Sequence, residues 1–250
     1  MQLLKDRIRA EGRVLPGNII KVDGFLNHRV DTKLMREMAK EFGRLFDLTG
    51  LTAVLTVEAS GIALGAICAE EFGVPLIFAK KAKSDNIEGG LYQSEIFSYT
   101  YKKKVTLLMS SQWLGPKDKV LIIDDFLANG EALRGLVDIV RQAGATLLGL
   151  GIAIEKGFQG GGDRLRAQGE NVQSLAIIAC AAQAPCGTAR APAGSVPSAC
   201  AVRRADQGYR KGAWHCAEHG HTAVPAHQSK ASRSARGGSV TFLNAAPLYR

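Results

Sequence analysis

The stretch "VLIIDDFLANGEAL", residues 120–133, decides how the rest of the chain is read. Four apolar residues, Val120 to Ile123, run directly into two adjacent aspartates, Asp124 and Asp125. The small residues Ala128, Asn129 and Gly130 come next, and a helix-like pattern begins at Glu131. An unbroken apolar run of this length is the mark of a strand buried on both faces, which belongs to a parallel sheet covered by helices. Two neighbouring carboxylates repel each other and resist burial, so their position at the carboxyl end of such a strand calls for a chemical reason.

The same grammar repeats outward from this stretch. "LTAVLTV" (51–57) reads as a buried strand, "EASG" (58–61) as a turn, and "IALGAICAEEFG" (62–73) as a helix stopped at Gly73. "VPLIFAKK" (74–81) is the next strand. After a polar stretch and "VTLLMSS" (105–111) come "KVLIIDD", the helix "GEALRGLVDIVRQAG" (130–144) with its stop at Gly144, and the strand "TLLGLGIAIEK" (146–156). Two successive strand–turn–helix–strand units predict an α/β fold with a parallel twisted sheet, and ligands in such folds bind beyond the carboxyl ends of the strands. Upstream, residues 3–11 read as a short amphipathic helix, Ile19–Val22 as a strand, and 32–47 as a helix capped by Asp31.

Composition narrows the function. The net charge is +9, but residues 176–250 carry nine Lys or Arg against two acids, 9 − 2 = +7, leaving 23 − 21 = +2 for residues 1–175. A nearly neutral body argues against nucleic acid as the partner. No apolar run reaches the roughly 18–20 residues of a membrane span, and the N-terminus lacks the apolar core of a signal peptide, so the expectation is a cytoplasmic protein without a membrane partner. Cys68 sits in an apolar helical stretch, and Cys180, Cys186, Cys200 and Cys216 all lie in the tail.

The chemistry starts from Asp124 and Asp125. The loop after them leads into a helix N-terminus, whose free N–H groups and dipole favour a phosphate. Carboxylates beside a phosphate accept hydrogen bonds from sugar hydroxyls, so the segment describes a seat for a ribose 5-phosphate. A solvated strand end followed by an ordinary helix cap fits the same residues. Lys156, likewise, reads either as a solvated strand-end lysine or, beside Phe158, as a contact for a flat purine.

"VLIIDDFLANG" resembles the phosphoribosyl-diphosphate signature of the type I phosphoribosyltransferases, and its "FLANG" loop resembles that of the bacterial xanthine phosphoribosyltransferases. "VDGFLNHRVD" (22–31), "EASGI" (58–62), "IFAKKAKS" (77–84) and "GIAIEKGFQ" (151–159) are similar to that family in order and spacing, over about residues 1–178. The resemblance implies the type I fold with a small N-terminal hood, a homodimer, and transfer of a phosphoribosyl group from 5-phospho-α-D-ribose 1-diphosphate to xanthine, giving XMP and diphosphate in purine salvage. It implies Asp124 and Asp125 on the ribose hydroxyls and Ala128, Asn129, Gly130, Glu131 and Ala132 on the 5-phosphate. Glu58, Ala59, Ser60, Gly61, Lys80 and Lys81 would take the diphosphate with Mg²⁺. Ile20, Asn27, Lys156 and Phe158 would meet the purine. Residues 84–104, with Ser98 and Tyr99, would form a mobile flap; an ordinary hairpin is the alternative.

Other readings are the same chemistry on hypoxanthine, guanine or adenine, and a non-catalytic regulator sensing phosphoribosyl diphosphate. The regulator needs a DNA-binding module ahead of the fold, and the segment before "EASG" shows no helix-turn-helix to spare. After about Ala179 the periodicity stops. Residues 179–250 are rich in Ala, Pro, Gly, Ser and Arg, and are expected to form a disordered basic tail, either a linker or the product of a shifted reading frame. His215, Cys216, His219 and His221 are ligand types for zinc, but the cysteine-pair spacing of a structural zinc site is missing.

Overall fold

The first 45 residues build a small layer ahead of the sheet. Helix α1 (Gln2–Glu11) is followed by the short antiparallel pair β1 (Arg13–Leu15) and β2 (Ile19–Lys21), a π-helical turn at Asp23–Asn27, and helix α2 (Thr32–Leu45). Asp31 caps α2, its Oδ1 accepting from Leu34 N at 3.1 Å. Leu34, Met35, Met38, Ala39 and Phe42 form the buried face of α2 at helical spacing. The charged N-terminus of Met1 donates to Leu175 O at 2.7 Å, tying this layer to the strand that ends the chain's parallel run, Val172–Ala181.

Next come β3 (Ala53–Val57), α3 (Gly61–Phe72) and β4 (Leu76–Ala79). A hairpin, β5 (Leu91–Ser98) with β6 (Lys103–Ser110), is followed by β7 (Lys119–Leu127), α4 (Glu131–Gln142) and β8 (Thr146–Lys156). A 3₁₀ turn (Gly157–Gln159), the short helix α5 (Gly161–Ala167), β9 (Val172–Ala181) and β10 (Val240–Phe242) complete the order. The computed structural model describes residues 1–15, 17, 19–81, 90–98, 103–181 and 240–242. All of them belong to one of the two units into which the chain divides, Met1–Ala184 with Gly237–Arg250; the other, Pro185–Arg236, lies outside the described residues.

The main sheet has the order β10-β9-β8-β7-β3-β4, with β9, β8, β7, β3 and β4 parallel and β10 antiparallel at one edge. The apolar runs divide their side chains between two cores, as strands buried on both faces must. Leu121 and Ile123 join Leu64, Met35 and Phe42 on one face, while Val120 and Ile122 join Leu133, Leu136 and Leu107 on the other. Among the described residues no helix is long and apolar enough to cross a membrane.

The predicted alternation of strands and helices is observed, with three differences. β7 continues through Leu127, two residues past the expected end, so Asp124 and Asp125 lie inside the strand rather than at its last residues. The polar stretch before residue 105 contains β5 and the start of β6, paired from Leu91↔Ser110 to Ser98↔Lys103. Alternation along 91–109 supports this hairpin because one side packs on α4: Ser94 donates to Asp138 Oδ2 at 3.0 Å, and Gln142 donates to Gln93 O at 2.8 Å. The boundary expected at 178 falls within β9, and Val240–Phe242, expected in the tail, pairs with it. The rest of the predicted disordered tail, the four cysteine and histidine positions 215, 216, 219 and 221 included, lies outside the described residues.

Candidate active site

The carboxyl ends of β3 and β7 meet where the sequence placed the chemistry. Asp124 and Asp125 are 5% and 3% exposed, which excludes a solvated strand end. Asp124 Oδ1 accepts from the backbone N–H of Asp125 at 3.0 Å, and Asp125 Oδ1 accepts from Ser60 Oγ at 3.0 Å. Asp125 Oδ2 is buried and, among the described residues, has no hydrogen-bond partner. The same holds for Oγ1 of the fully buried Thr56, at the end of β3. Burial, then the neighbouring charge of Asp125, pushes the Asp124 carboxyl well above the usual carboxylate range; Lys81 opposes this weakly. Such oxygens cost free energy as they stand.

Gly61 opens α3 beside these groups. A Cβ there would overlap Thr56 Oγ1 and lie 2.7 Å from Asp124 Oδ1, so the close approach of the helix to the aspartates requires glycine. Glu58, Ala59 and Ser60 form the turn before it, and Glu58 Oε1 accepts from Lys81 N at 2.5 Å. Lys81 and residues 126–133 line a cleft of about 180 Å³. Lys80 instead lines a separate groove of about 530 Å³ with Pro75, Phe78, Met109 and Trp113. The two lysines thus separate, and only Lys81 borders the cleft.

Ala128, Asn129 and Gly130 connect β7 to α4. Gly130 has φ 82°, a left-handed conformation that favours glycine, and it immediately precedes the helix. The first N–H groups of α4 have no intrahelical acceptor and point back toward the loop. The Glu131 side chain does not join them; its Oε2 lies 3.2 Å from Arg134 Nη2. What this end of the helix offers an anion is backbone N–H.

Lys156 ends β8. It is half-buried, its Nζ stands 5.5 Å from the centroid of the Phe126 ring, and desolvation lowers its pKa from the ordinary lysine range. Phe126 and Phe158 pack against the same core that contains Ile20. Ile20 is 7% exposed, while Asn27, the last residue of the π-helical turn, is exposed. Ser98 ends β5 opposite Lys103, and Tyr99 lies outside the described residues.

Sequence reading missed the contribution of α5. Gly161 N donates to Ala128 O at 3.1 Å, and Arg164 Nη2 donates to Asn129 O at 2.9 Å. Glu155, 2% exposed, accepts from Arg166 Nη1 at 3.0 Å, from Arg166 Nη2 at 2.7 Å and from Ser174 Oγ at 2.5 Å. These bonds to Glu155 hold the Arg166 guanidinium above its ordinary pKa. The only sequence signal for this device is the run "GGG" at 160–162, two of whose members have no room for a Cβ: at Gly161 it would meet the loop, at Gly162 the Glu155 carboxylate.

Paired acids near the carboxyl edge of a parallel sheet, followed by a glycine turn into a helix N-terminus, are the arrangement expected of a phosphoribosyl-transferring enzyme. Residues 27–165 match the model of the phosphoribosyl transferase domain, and the chain belongs to this family. Among its relatives, the xanthine phosphoribosyltransferase of Lachnoclostridium phytofermentans is 54% identical over 178 residues, 71% of this chain and 92% of that protein. That of Bifidobacterium longum is 50% identical over 179 residues, 71% of this chain and 93% of that protein. Among solved structures, the adenine phosphoribosyltransferase of Giardia lamblia superposes with a TM-score of 0.59 at 23% identity, covering 70% of this chain and 96% of that one. The Rhodothermus marinus enzyme gives 0.58 at 21%, covering 71% and 99%. At that identity the likeness concerns the fold alone.

Proposed function

We propose that the chain is a xanthine phosphoribosyltransferase of purine salvage, converting xanthine and 5-phospho-α-D-ribose 1-diphosphate to XMP and diphosphate. The observation that carries this is identity of about half to xanthine phosphoribosyltransferases over more than nine-tenths of their length, combined with buried, incompletely partnered Asp124 and Asp125 beside the 128–132 cradle.

The reaction joins a purine nitrogen to C1 of the ribose as the bond from C1 to diphosphate breaks, and the leaving diphosphate takes the bonding electrons. Positive charge develops on the sugar. Asp124 and Asp125 grip the ribose hydroxyls and set negative charge near that cation, where it stabilises the transition state more than the ground state. The N–H groups of residues 128–132 anchor the 5-phosphate and fix C1 in place. The turn 58–61 and Lys81 take the diphosphate, and Lys80 adds to the local positive charge. Ser98 and Tyr99 belong to the segment that would close over the substrates and exclude water, which otherwise hydrolyses the activated sugar.

Mg²⁺ fits beside these residues: the diphosphate and water would hold the ion, with the acidic side chains of Asp124 and Asp125 close by on the ribose hydroxyls rather than on the metal. Bound with the diphosphate through substrate oxygens and water, the ion would neutralise the leaving group. Residues 1–178 form the catalytic unit in this reading, working as a cytoplasmic homodimer.

Base choice follows from hydrogen bonding. Xanthine has a C2 carbonyl that Asn27 can meet as donor, while Lys156 donates to the C6 oxygen and Phe158 and Ile20 offer apolar surface. Asn27 is exposed in the free protein; where the bound substrates exclude water from it, hypoxanthine leaves the C2-facing donor unpaired, at a cost of roughly 1–3 kcal/mol, about ten- to a hundredfold in kcat/KM. A panel of xanthine, hypoxanthine, guanine and adenine with phosphoribosyl diphosphate and Mg²⁺ tests the proposal. Preference for xanthine by that margin supports it. Equal rates with hypoxanthine overturn the base assignment, and no nucleotide from any base overturns the activity.

A further inference from the structure

A cradle made of backbone N–H groups raises a question about the carbonyls. In a planar trans peptide the N–H and C=O point in opposite directions. Turning the N–H groups of Asn129 and Gly130 toward an anion therefore turns Ala128 O and Asn129 O away from it. An outward carbonyl with no partner leaves the peptide free to rotate, and a rotated peptide presents its oxygen to the phosphate.

Both outward carbonyls are held by α5. Gly161 N takes Ala128 O at 3.1 Å, and Arg164 Nη2 takes Asn129 O at 2.9 Å. The same Nη2 reaches Gln159 O at 3.4 Å, in the turn that follows Lys156. The helix supplying these donors is fixed from behind: Leu165 is buried, and Arg166 is fastened to Glu155, itself bonded to Ser174 on β9. At Gly161 a Cβ would stand 2.8 Å from both Asn129 C and Gly130 N, so α5 lies directly against the loop.

We infer that Arg164 is a positioning residue for the 5-phosphate: through Asn129 O it locks the Asn129–Gly130 peptide with its N–H toward the substrate. Its guanidinium acts on the loop and not on the purine. Because the inference rests on the reading of residues 128–132 as a 5-phosphate cradle, its test separates the two.

Arg164 is exposed, so Arg164→Ala is expected to fold with an unchanged Tm. KM for phosphoribosyl diphosphate should rise about tenfold, the scale of effect when a substrate-positioning contact is displaced, with KM for xanthine unchanged. Millimolar guanidinium should restore much of the loss by occupying the vacated donor position. Arg141→Ala, which removes a surface arginine paired with Glu170 on the same side of the sheet, controls for net charge and should behave as wild type. Titration calorimetry with phosphoribosyl diphosphate alone should report the same weakening without turnover. The inference is overturned if Arg164→Ala binds phosphoribosyl diphosphate as wild type does, or if both KM values rise together with a fall in Tm. If wild type itself fails to bind phosphoribosyl diphosphate, the reading of the cradle fails instead.

Discussion

Two buried acidic sites lie within one sheet, and they are built in opposite ways. Glu155 on β8 is saturated: a bidentate guanidinium and a hydroxyl take its two oxygens. Asp124 and Asp125 on β7 are equally buried, yet among the described residues their hydrogen bonds come from one hydroxyl and one backbone N–H, and Asp125 Oδ2 has none. The first site is a structural clasp joining α5, β8 and β9. The second keeps buried acidic oxygens short of partners at a cost, as expected of a site that a ligand completes.

Breaking the clasp should have the largest effect on stability. Glu155→Gln places an amide NH₂ among donors and leaves Arg166 without its anion, an expected loss of about 3 kcal/mol, toward the low end because Arg166 is partly exposed. Chemical denaturation reads it directly, and Tm should fall by about 2–4 °C per kcal/mol. An unchanged Tm would mean that the clasp is not what fastens α5.

Crowding the second site comes next. Gly61→Ala drives a methyl group into Thr56 Oγ1 and against Asp124 Oδ1. Overpacking of this kind costs about 1–3 kcal/mol, and kcat/KM should fall with it if the displaced oxygen grips ribose as proposed.

The smallest effect has the opposite sign. A carboxyl whose folded pKa lies above its unfolded value binds its proton more tightly in the folded protein. Its contribution therefore opposes folding increasingly as pH rises from the unfolded value of ~3.9 through the folded one, and vanishes below that window. Asp124 is such a group. Asp124→Asn should stabilise the ligand-free protein at neutral pH by about 1 kcal/mol, with the gain fading as pH is lowered. Thermal melts of the two proteins across pH check this. A variant that melts below wild type at neutral pH would show that the aspartate is not strained.

The contrast also explains what the sequence could reveal. Strand and helix order was legible because apolar runs and periodic faces are local, and Gly73 and Gly144 stop α3 and α4 in left-handed conformations as read. Asp124, Asp125 and the loop 128–130 were legible because strand, acids and turn are contiguous. The clasp was not: Glu155, Arg166 and Ser174 come from three elements, and "IEKGF" reads equally well with a surface glutamate. The divergence of Lys80 from Lys81 was hidden for a related reason. Adjacent residues at a strand end point to opposite sides, and Lys80 is drawn across by its bridge to Leu108 on β6.

In the proposed function the incompletely partnered aspartates are reserved for phosphoribosyl diphosphate. Titration calorimetry of wild type and of the Asp124→Asn, Asp125→Asn double variant with phosphoribosyl diphosphate and Mg²⁺ tests it most directly. Wild type should bind saturably. The double variant should remain folded and bind about a hundredfold more weakly or worse, as expected when charge-assisted hydrogen bonds from two hydroxyls are lost. A folded double variant that binds phosphoribosyl diphosphate as tightly as wild type would contradict it.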